Sequence, residues 1–132
     1  MKRRVVVTGL GIVSPLGLGL KENETALFEG RSGVDFIKTF TPDENFPVKI
    51  AGEVKGFDPE KYIDHKEIKK MDRFIHYAVA CSQMALEDSG FEINEQNAER
   101  VGVIVGVGLG GLPAIEKYHD ISKARGVKKI TP

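Results

Sequence analysis

Two short runs of β-branched residues, each followed at once by a glycine-rich turn, constrain the fold of this 132-residue chain more than any other feature. The first run and its turn are VVVTGLGIVSPLG at 5–17, and the second are VGVIVGVGLGG at 101–111. An apolar run that ends in glycine is typical of a buried parallel strand. The pattern therefore predicts an α/β fold with strands at 5–7 and 101–105.

Three helices are predicted alongside these strands. Good helix formers at 21–29 are followed by a glycine, which is favoured just beyond a helix end because it adopts positive φ without strain. A wide face of apolar or small residues over 72–89, closed by Gly90, predicts the longest helix. The last helix is predicted at 112–124, again with a glycine shortly after its end.

The middle of the chain is predicted to contain only short elements. Proline and glycine make 31–47 a long surface connection, and alternating apolar residues over 48–54 predict a half-exposed strand. Asp58 precedes a proline, which is the arrangement of a helix N-cap. Asp64 and Glu67 have the spacing of a capping box, so a second helical turn is expected after Asp64.

The second glycine turn, 106–111, also satisfies G-x-G-x-x-G between a strand and a helix. In that setting backbone N–H groups can bind a pyrophosphate. A dinucleotide-binding unit further needs a strand carrying an acidic residue about 20 residues on, whereas this chain has RGVKKI at 125–130. We favour close backbone packing as the reason for the glycines of both turns. A nucleotide-binding or carrier-protein-binding α/β module is the alternative.

Charge and cysteine content exclude several classes of protein. Lysine plus arginine equals aspartate plus glutamate, 19 each, so the overall charge provides no attraction to nucleic acid or to an anionic membrane. One cysteine excludes an internal disulfide. The chain has no charged-then-apolar leader and no long apolar run for membrane insertion. We therefore expect a cytoplasmic protein that binds no nucleic acid and inserts into no membrane.

Six blocks in order resemble the N-terminal part of the condensing enzymes of the thiolase fold, the β-ketoacyl synthases of fatty acid synthesis. The blocks are RRVVVTGLGIVSPLG at 3–17, ALFEGRSGV at 26–34, KEIKKMDRF at 66–74, ALEDSG at 85–90, RVGVIVGVGLGG at 100–111 and KKITP at 128–132. The resemblance implies an α/β fold that is layered α/β/α/β/α in the intact enzyme. Because the chain ends after a helix with no strand following, we expect 1–132 to be an incomplete part of the N-terminal domain, with no second domain.

The resemblance implies a decarboxylative Claisen condensation that extends an acyl thioester with malonyl-acyl carrier protein, catalysed by a homodimer without a cofactor. In the family a cysteine thiolate takes the acyl group and two histidines promote the condensation. These three residues lie beyond the last position of this sequence. We therefore predict no catalytic residue within the chain and no activity from the chain alone.

The cysteine and histidines that are present do not substitute for that set. Cys81 falls in the apolar stripe of the longest predicted helix, which predicts a core cysteine. His76 is about 140° from Cys81 around that helix, so the pair forms no dyad. His65 and His119 have no second histidine or cysteine at ligand spacing, which predicts solvated side chains and no metal site.

Five lysines are candidates for binding the carrier protein. Lys66, Lys69 and Lys70 are spaced to lie on one side of a helical turn. A lysine run is ordinarily a solvated face. The resemblance implies docking instead, because these positions match those with which such synthases bind the acidic carrier, and Lys128 and Lys129 match a second part of that surface.

Leu109 is the candidate residue of the acyl pocket. It lies in the glycine turn whose counterpart in the family borders the tunnel for the growing acyl chain, at a position where relatives often have isoleucine. An ordinary core leucine is the alternative. An alkyl substrate is selected by apolar side-chain volume, which is the kind of contact that a leucine provides.

Overall fold

The computed structural model describes residues 3–130, which fold into four α-helices, two antiparallel strand pairs and three 3₁₀ turns. The helices are α1 (Leu20–Phe28), α2 (His65–Ile68), α3 (Arg73–Ser89) and α4 (Leu112–Arg125). Strand β1 (Val13–Ser14) pairs with β2 (Gly17–Leu18), and β3 (Asp35–Phe36) pairs with β4 (Ile50–Ala51). The 3₁₀ turns are Pro59–Lys61, Ala98–Arg100 and Val127–Lys129.

The three longer helices confirm the sequence predictions to within one residue at each end. Gly90 ends α3 in the left-handed conformation, with φ at 61°, and its N–H donates to the carbonyl of Glu87. A residue with a side chain would be strained at this φ. Helix ends of this kind are set by local sequence, which explains why they were predictable.

The predicted strands at 5–7 and 101–105 do not form, and this part of the prediction is wrong. Both runs lack strand pairing in the structure of residues 3–130, and Ile104 is 99% exposed. A buried parallel strand needs neighbours on both sides for its N–H and C=O groups. The two strand pairs within the described residues lie elsewhere, so neither run has such a neighbour.

The connection at 31–47 contains a strand that the sequence did not predict. Asp35 pairs with Ala51 and Phe36 with Ile50, so this β3–β4 pair joins the connection to the predicted strand region. The strand expected over 48–54 is reduced to two residues. Each strand is too short to show the period-two alternation from which strands are predicted.

Exposed ion pairs join Asp35 of β3 to two nearby lysines. Its Oδ2 lies 3.0 Å from Lys55 Nζ and 3.4 Å from Lys38 Nζ. The Lys55 contact, the N–H of Phe36 and the Lys38 ammonium lower the pKa of Asp35 to about 2. Glu53 accepts from the hydroxyl and N–H of Thr39 and from the N–H of Lys38, and these bonds lower its pKa as well.

Both predicted caps form, although one of them differs in detail. The Asp58 carboxylate accepts from the N–H of Glu60 at 3.0 Å, and that of Asp64 accepts from the N–H of Lys66 at 2.8 Å. Glu67 does not close the predicted capping box. Its carboxylate lies 2.6 Å from Lys70 Nζ instead.

The glycines of the two turns differ in their surroundings. A Cβ on Gly9 or Gly11 would overlap the carbonyl oxygen of Ala85 or Cys81, so this turn lies directly on the backbone of α3. Close packing is therefore confirmed for the first turn. Gly106 and Gly108 face open space in the described structure, so the same explanation is wrong for them.

The enclosed part of the molecule is small. Ala26 and Ala80 are the buried apolar residues among those described. The amide of Asn23 is buried with them and donates to the carbonyls of Gly17 and Gly19 at 2.9 and 2.8 Å, which ties the β1–β2 turn to α1. Cys81 is only half-buried, so its predicted core position is not fully enclosed.

Candidate functional site

The lysines of the first predicted cluster lie on α2 and the turn that follows it. Lys66 is within the helix, Lys69 caps its C-terminal end and Lys70 comes next, and all three are exposed. Lys70 forms an ion pair with Glu67. Lys66 and Lys69 form no ion pair with the residues described here, so their charges are available to a partner.

Two side chains of α3 hold the lysine-bearing segment in place. Nε2 of His76 lies 3.1 Å from the carbonyl oxygen of Ile68, at the end of α2. Because a carbonyl only accepts, Nε2 carries the proton in this contact. Gln83 donates from Nε2 to the carbonyl of Tyr62 at 3.1 Å. The backbone that carries the lysines is thus hydrogen-bonded to α3 at two points. One is Tyr62, which precedes α2, and the other is Ile68, the last residue of α2.

This role of His76 is not predicted from the sequence, where the residue is compared only with Cys81. The side chain is 9% exposed and is one of two buried polar residues in the described structure. A lone histidine on an otherwise apolar helix face was the available signal, since a buried imidazole needs a hydrogen-bond partner. The sequence could not identify that partner, which is eight residues away.

A cleft of about 340 Å³, lined by both charged and apolar residues, separates the α2–α3 turn from the N-terminal half of α4. Its charged lining consists of Lys69, Lys70 and Lys117 with the single carboxylate of Asp72. The rest of the lining is Met71, Phe74, Ile75, Gly111, Pro113, Ala114 and Tyr118. Two predicted docking lysines thus line the same cleft as Lys117, which the sequence does not predict as a docking residue.

The second predicted lysine pair lies outside this cleft. Lys128 and Lys129 belong to the exposed 3₁₀ turn that follows α4. That turn is fixed to its helix end by a hydrogen bond from the N–H of Lys129 to the carbonyl of Gly126, at 3.1 Å. The structure therefore places the two lysine groups on separate elements.

Leu109 lies at the tip of the second glycine turn and is 77% exposed. It borders a shallow cleft of about 210 Å³ together with Phe74 and Pro113. Within residues 3–130 it is therefore not a core leucine. A larger apolar groove of about 430 Å³ lies between α3 and residues 103–107, and Phe74 lines both this groove and the shallow cleft.

The remaining histidines are exposed and contact carboxylates. His65 Nδ1 lies 2.6 Å from Glu60, and His119 Nδ1 lies 3.4 Å from Asp120. Over residues 3–130 we find no group of three or more histidine, cysteine or carboxylate side chains arranged to hold a metal ion. None of the helices described is long and apolar enough to cross a membrane.

The sequence profile of the β-ketoacyl synthase N-terminal domain matches residues 2–132, which is nearly the whole chain. The chain belongs to the β-ketoacyl synthase family. This assignment confirms the resemblance found in the sequence. It also argues against the alternative of a nucleotide-binding module.

Curated relatives of this β-ketoacyl synthase chain are named 3-oxoacyl-[acyl-carrier-protein] synthase 2, and 3-oxoacyl is a synonym of β-ketoacyl. The chain is 50% identical to the protein of Coxiella burnetii and 48% identical to that of Vibrio cholerae, each over 131 residues. It is 38% identical to that of Staphylococcus aureus over 130 residues. The match covers 98–99% of this chain but 31% of each relative.

Solved structures agree with this assignment. The chain matches a ketosynthase described in complex with its type II polyketide acyl-carrier protein, with a TM-score of 0.76, 27% identity and coverage of 100% of this chain and 35% of the other. The ishigamide ketosynthase/chain length factor matches with a TM-score of 0.63 and 40% identity, over 70% of this chain and 23% of the other. The predicted fold class, the N-terminal part of a ketosynthase of the thiolase fold, is confirmed.

Proposed function

We propose that this chain is the N-terminal part of a 3-oxoacyl-acyl carrier protein synthase, which condenses an acyl thioester with malonyl-acyl carrier protein. The observation that carries the proposal is the 50% identity to a synthase 2 along 99% of the chain. The chain spans about a third of the length of that relative. The proposal therefore places 1–132 within the first domain of the enzyme, as one part of it.

The role of this part is binding. The exposed ammonium groups of Lys66 and Lys69, on a segment bonded to α3 by His76 and Gln83, support docking of an acidic carrier protein. Fixed surface charges of one sign steer an oppositely charged partner and set its orientation. Lys128 and Lys129 form a second exposed group for the same partner.

Leu109 is proposed to border the acyl chain. Its side chain projects from a turn with glycines on both sides and lies beside Phe74, next to the apolar groove along α3. An apolar contact is selective by volume, since one methylene changes binding by about 1–3 kcal/mol. Leu109 would therefore influence the acyl length that the enzyme accepts.

The exposed apolar segments support a larger assembly. The side chains of 5–7 and 103–105 are more than half exposed. Contiguous apolar surface of this kind ordinarily contacts other residues of the same protein or a second subunit. We propose that they complete a sheet with the rest of the enzyme, which acts as a homodimer. A single cysteine fits a reducing compartment, and the proposal assigns the enzyme to the cytoplasm.

A condensation assay tests the proposed function. The complete protein that carries this sequence is expected to form 3-oxoacyl-acyl carrier protein from acyl and malonyl thioesters, with release of carbon dioxide. The purified 132-residue chain is expected to form none, because the family's nucleophile and histidines lie outside it. The proposal fails if the complete protein forms no more product than a reaction without protein.

A further inference from the structure

The cleft between the α2–α3 turn and α4 carries charge that the predicted docking positions do not account for. Lys69 and Lys70 line one side of it, and Lys117 lines the other from the first half of α4. Lys117 is exposed and, among residues 3–130, makes no ion pair. Its Nζ lies 5.7 Å from the ring centre of Tyr118, at the cleft wall.

The charge of the cleft is strongly one-sided. Three ammonium groups line it with one carboxylate, that of Asp72, although the chain as a whole has 19 basic and 19 acidic residues. Lys70 is partly neutralised by Glu67, which leaves Lys69 and Lys117 as the cleft lysines that form no ion pair within residues 3–130. A ligand that fits here carries negative charge at more than one point.

The lining between the cations is apolar. Met71, Pro113 and Ala114 contribute to it, and the cleft volume is about 340 Å³. A small inorganic anion would leave these side chains in water. An amphipathic helix with acidic residues offers carboxylates to the lysines on both sides and an apolar side chain to the lining between them.

We propose that the carrier-docking surface crosses this cleft onto α4, with Lys117 as a further docking residue that binds acidic side chains on a helix of the carrier protein. The inference rests on the proposed function and extends its docking surface beyond the five lysines predicted from sequence. Exposed charges of this kind contribute mainly to encounter and orientation. Lys117 is therefore a binding residue with no part in the chemistry.

The test is charge reversal on α4 in the complete synthase. Lys117→Glu is compared with Lys123→Glu, a matched control, because both lysines are exposed, lie on α4 and are three residues from Asp120, but Lys123 does not line the cleft. We expect Lys117→Glu to raise KM for the carrier-bound substrate about 3- to 10-fold without changing kcat. Lys123→Glu and the charge-preserving Lys117→Arg are expected to stay close to wild type.

Two further measurements separate the possible outcomes. The rise in KM is expected to shrink at high salt, and use of a small thioester substrate is expected to be unchanged. Equal loss with both substrates, or a melting temperature lowered in Lys117→Glu but not in Lys123→Glu, overturns the inference. If Lys66→Glu raises KM for the carrier-bound substrate but Lys117→Glu does not, the inference fails and the proposed docking function stands. If neither variant changes KM, the docking surface itself is wrong.

Discussion

The imidazole Nε2 of His76 donates to the carbonyl oxygen of Ile68 across 3.1 Å and thereby joins the first turn of α3 to the C-terminal end of α2. The imidazole is buried, so this bond has little competition from water. Lys69 follows Ile68 directly in the chain. The backbone immediately before this lysine is thus held in part by His76.

Replacing His76 is expected to destabilise the fold in a way that depends on hydrogen bonding. His76→Leu removes one of two donors to the Ile68 carbonyl, which also accepts from the N–H of Met71 at 3.3 Å, and is expected to cost about 0.5–1.5 kcal/mol in the free energy of unfolding. His76→Gln retains a donor and is expected to lose less. Urea unfolding of the complete protein measures both. Equal stability of the wild type and the leucine variant would show that the bond contributes nothing.

The contact of the first glycine turn with α3 predicts that alanine substitution of two glycines has very different effects on thermal stability. Gly11→Ala places a Cβ against the backbone of Cys81, so the turn or the helix must shift. This shift is expected to lower the free energy of unfolding by about 1–3 kcal/mol. Gly108→Ala is the control, because a Cβ there meets open space. Thermal unfolding compares the two variants. Similar melting temperatures for both would contradict the packing described for Gly11.

The Asp35 ion pairs predict that the stability of the fold decreases at acidic pH. The pKa of Asp35 is lowered from 3.8 to about 2 in the folded state, so its pairing stabilises the fold above pH 3.8 and this contribution is lost as the pH falls toward 2. Lys55→Met removes the contact that lowers the pKa of Asp35 most, so this pKa is expected to rise. NMR titration of the Asp35 carboxyl carbon measures it, with Lys61→Met as the control. An unchanged pKa in Lys55→Met would refute the assignment.

Leu109→Phe in the complete enzyme is expected to change the preferred acyl length. A larger side chain in a packed apolar site costs typically about 1–3 kcal/mol, so long acyl primers should be used poorly while short primers remain usable. Turnover with short and long primers, together with the melting temperature, measures this. A uniform loss across chain lengths would place Leu109 outside the acyl pocket.

The sequence predicted those elements that local chemistry determines. The end of α3 follows from Gly90, and the caps at Asp58 and Asp64 from spacing of one to three residues. The strands expected at 5–7 and 101–105 depend on hydrogen bonds to partners distant in the chain, and local pattern does not supply such partners.

The same distinction applies to the candidate site. The spacing of Lys66, Lys69 and Lys70 was visible in the sequence, and the structure places all three around α2. The sequence does not predict Lys117, because its place in the cleft that Lys69 also lines depends on how α4 lies relative to the α2–α3 turn. The meeting of residues nearly fifty positions apart at one cleft is set by packing, which a lysine spacing rule does not describe.

Charge reversal at the lysine cluster tests the central claim that this part of the enzyme delivers carrier-bound substrate. The measurement is kcat/KM of the complete synthase carrying Lys66→Glu and Lys69→Glu, with carrier-bound and small thioester substrates in parallel. We expect a loss of about tenfold or more with the carrier-bound substrate, mainly through KM, and no change with the small thioester, because exposed charges act on encounter and positioning. Equal losses with both substrates, or no loss with either, would contradict the claim.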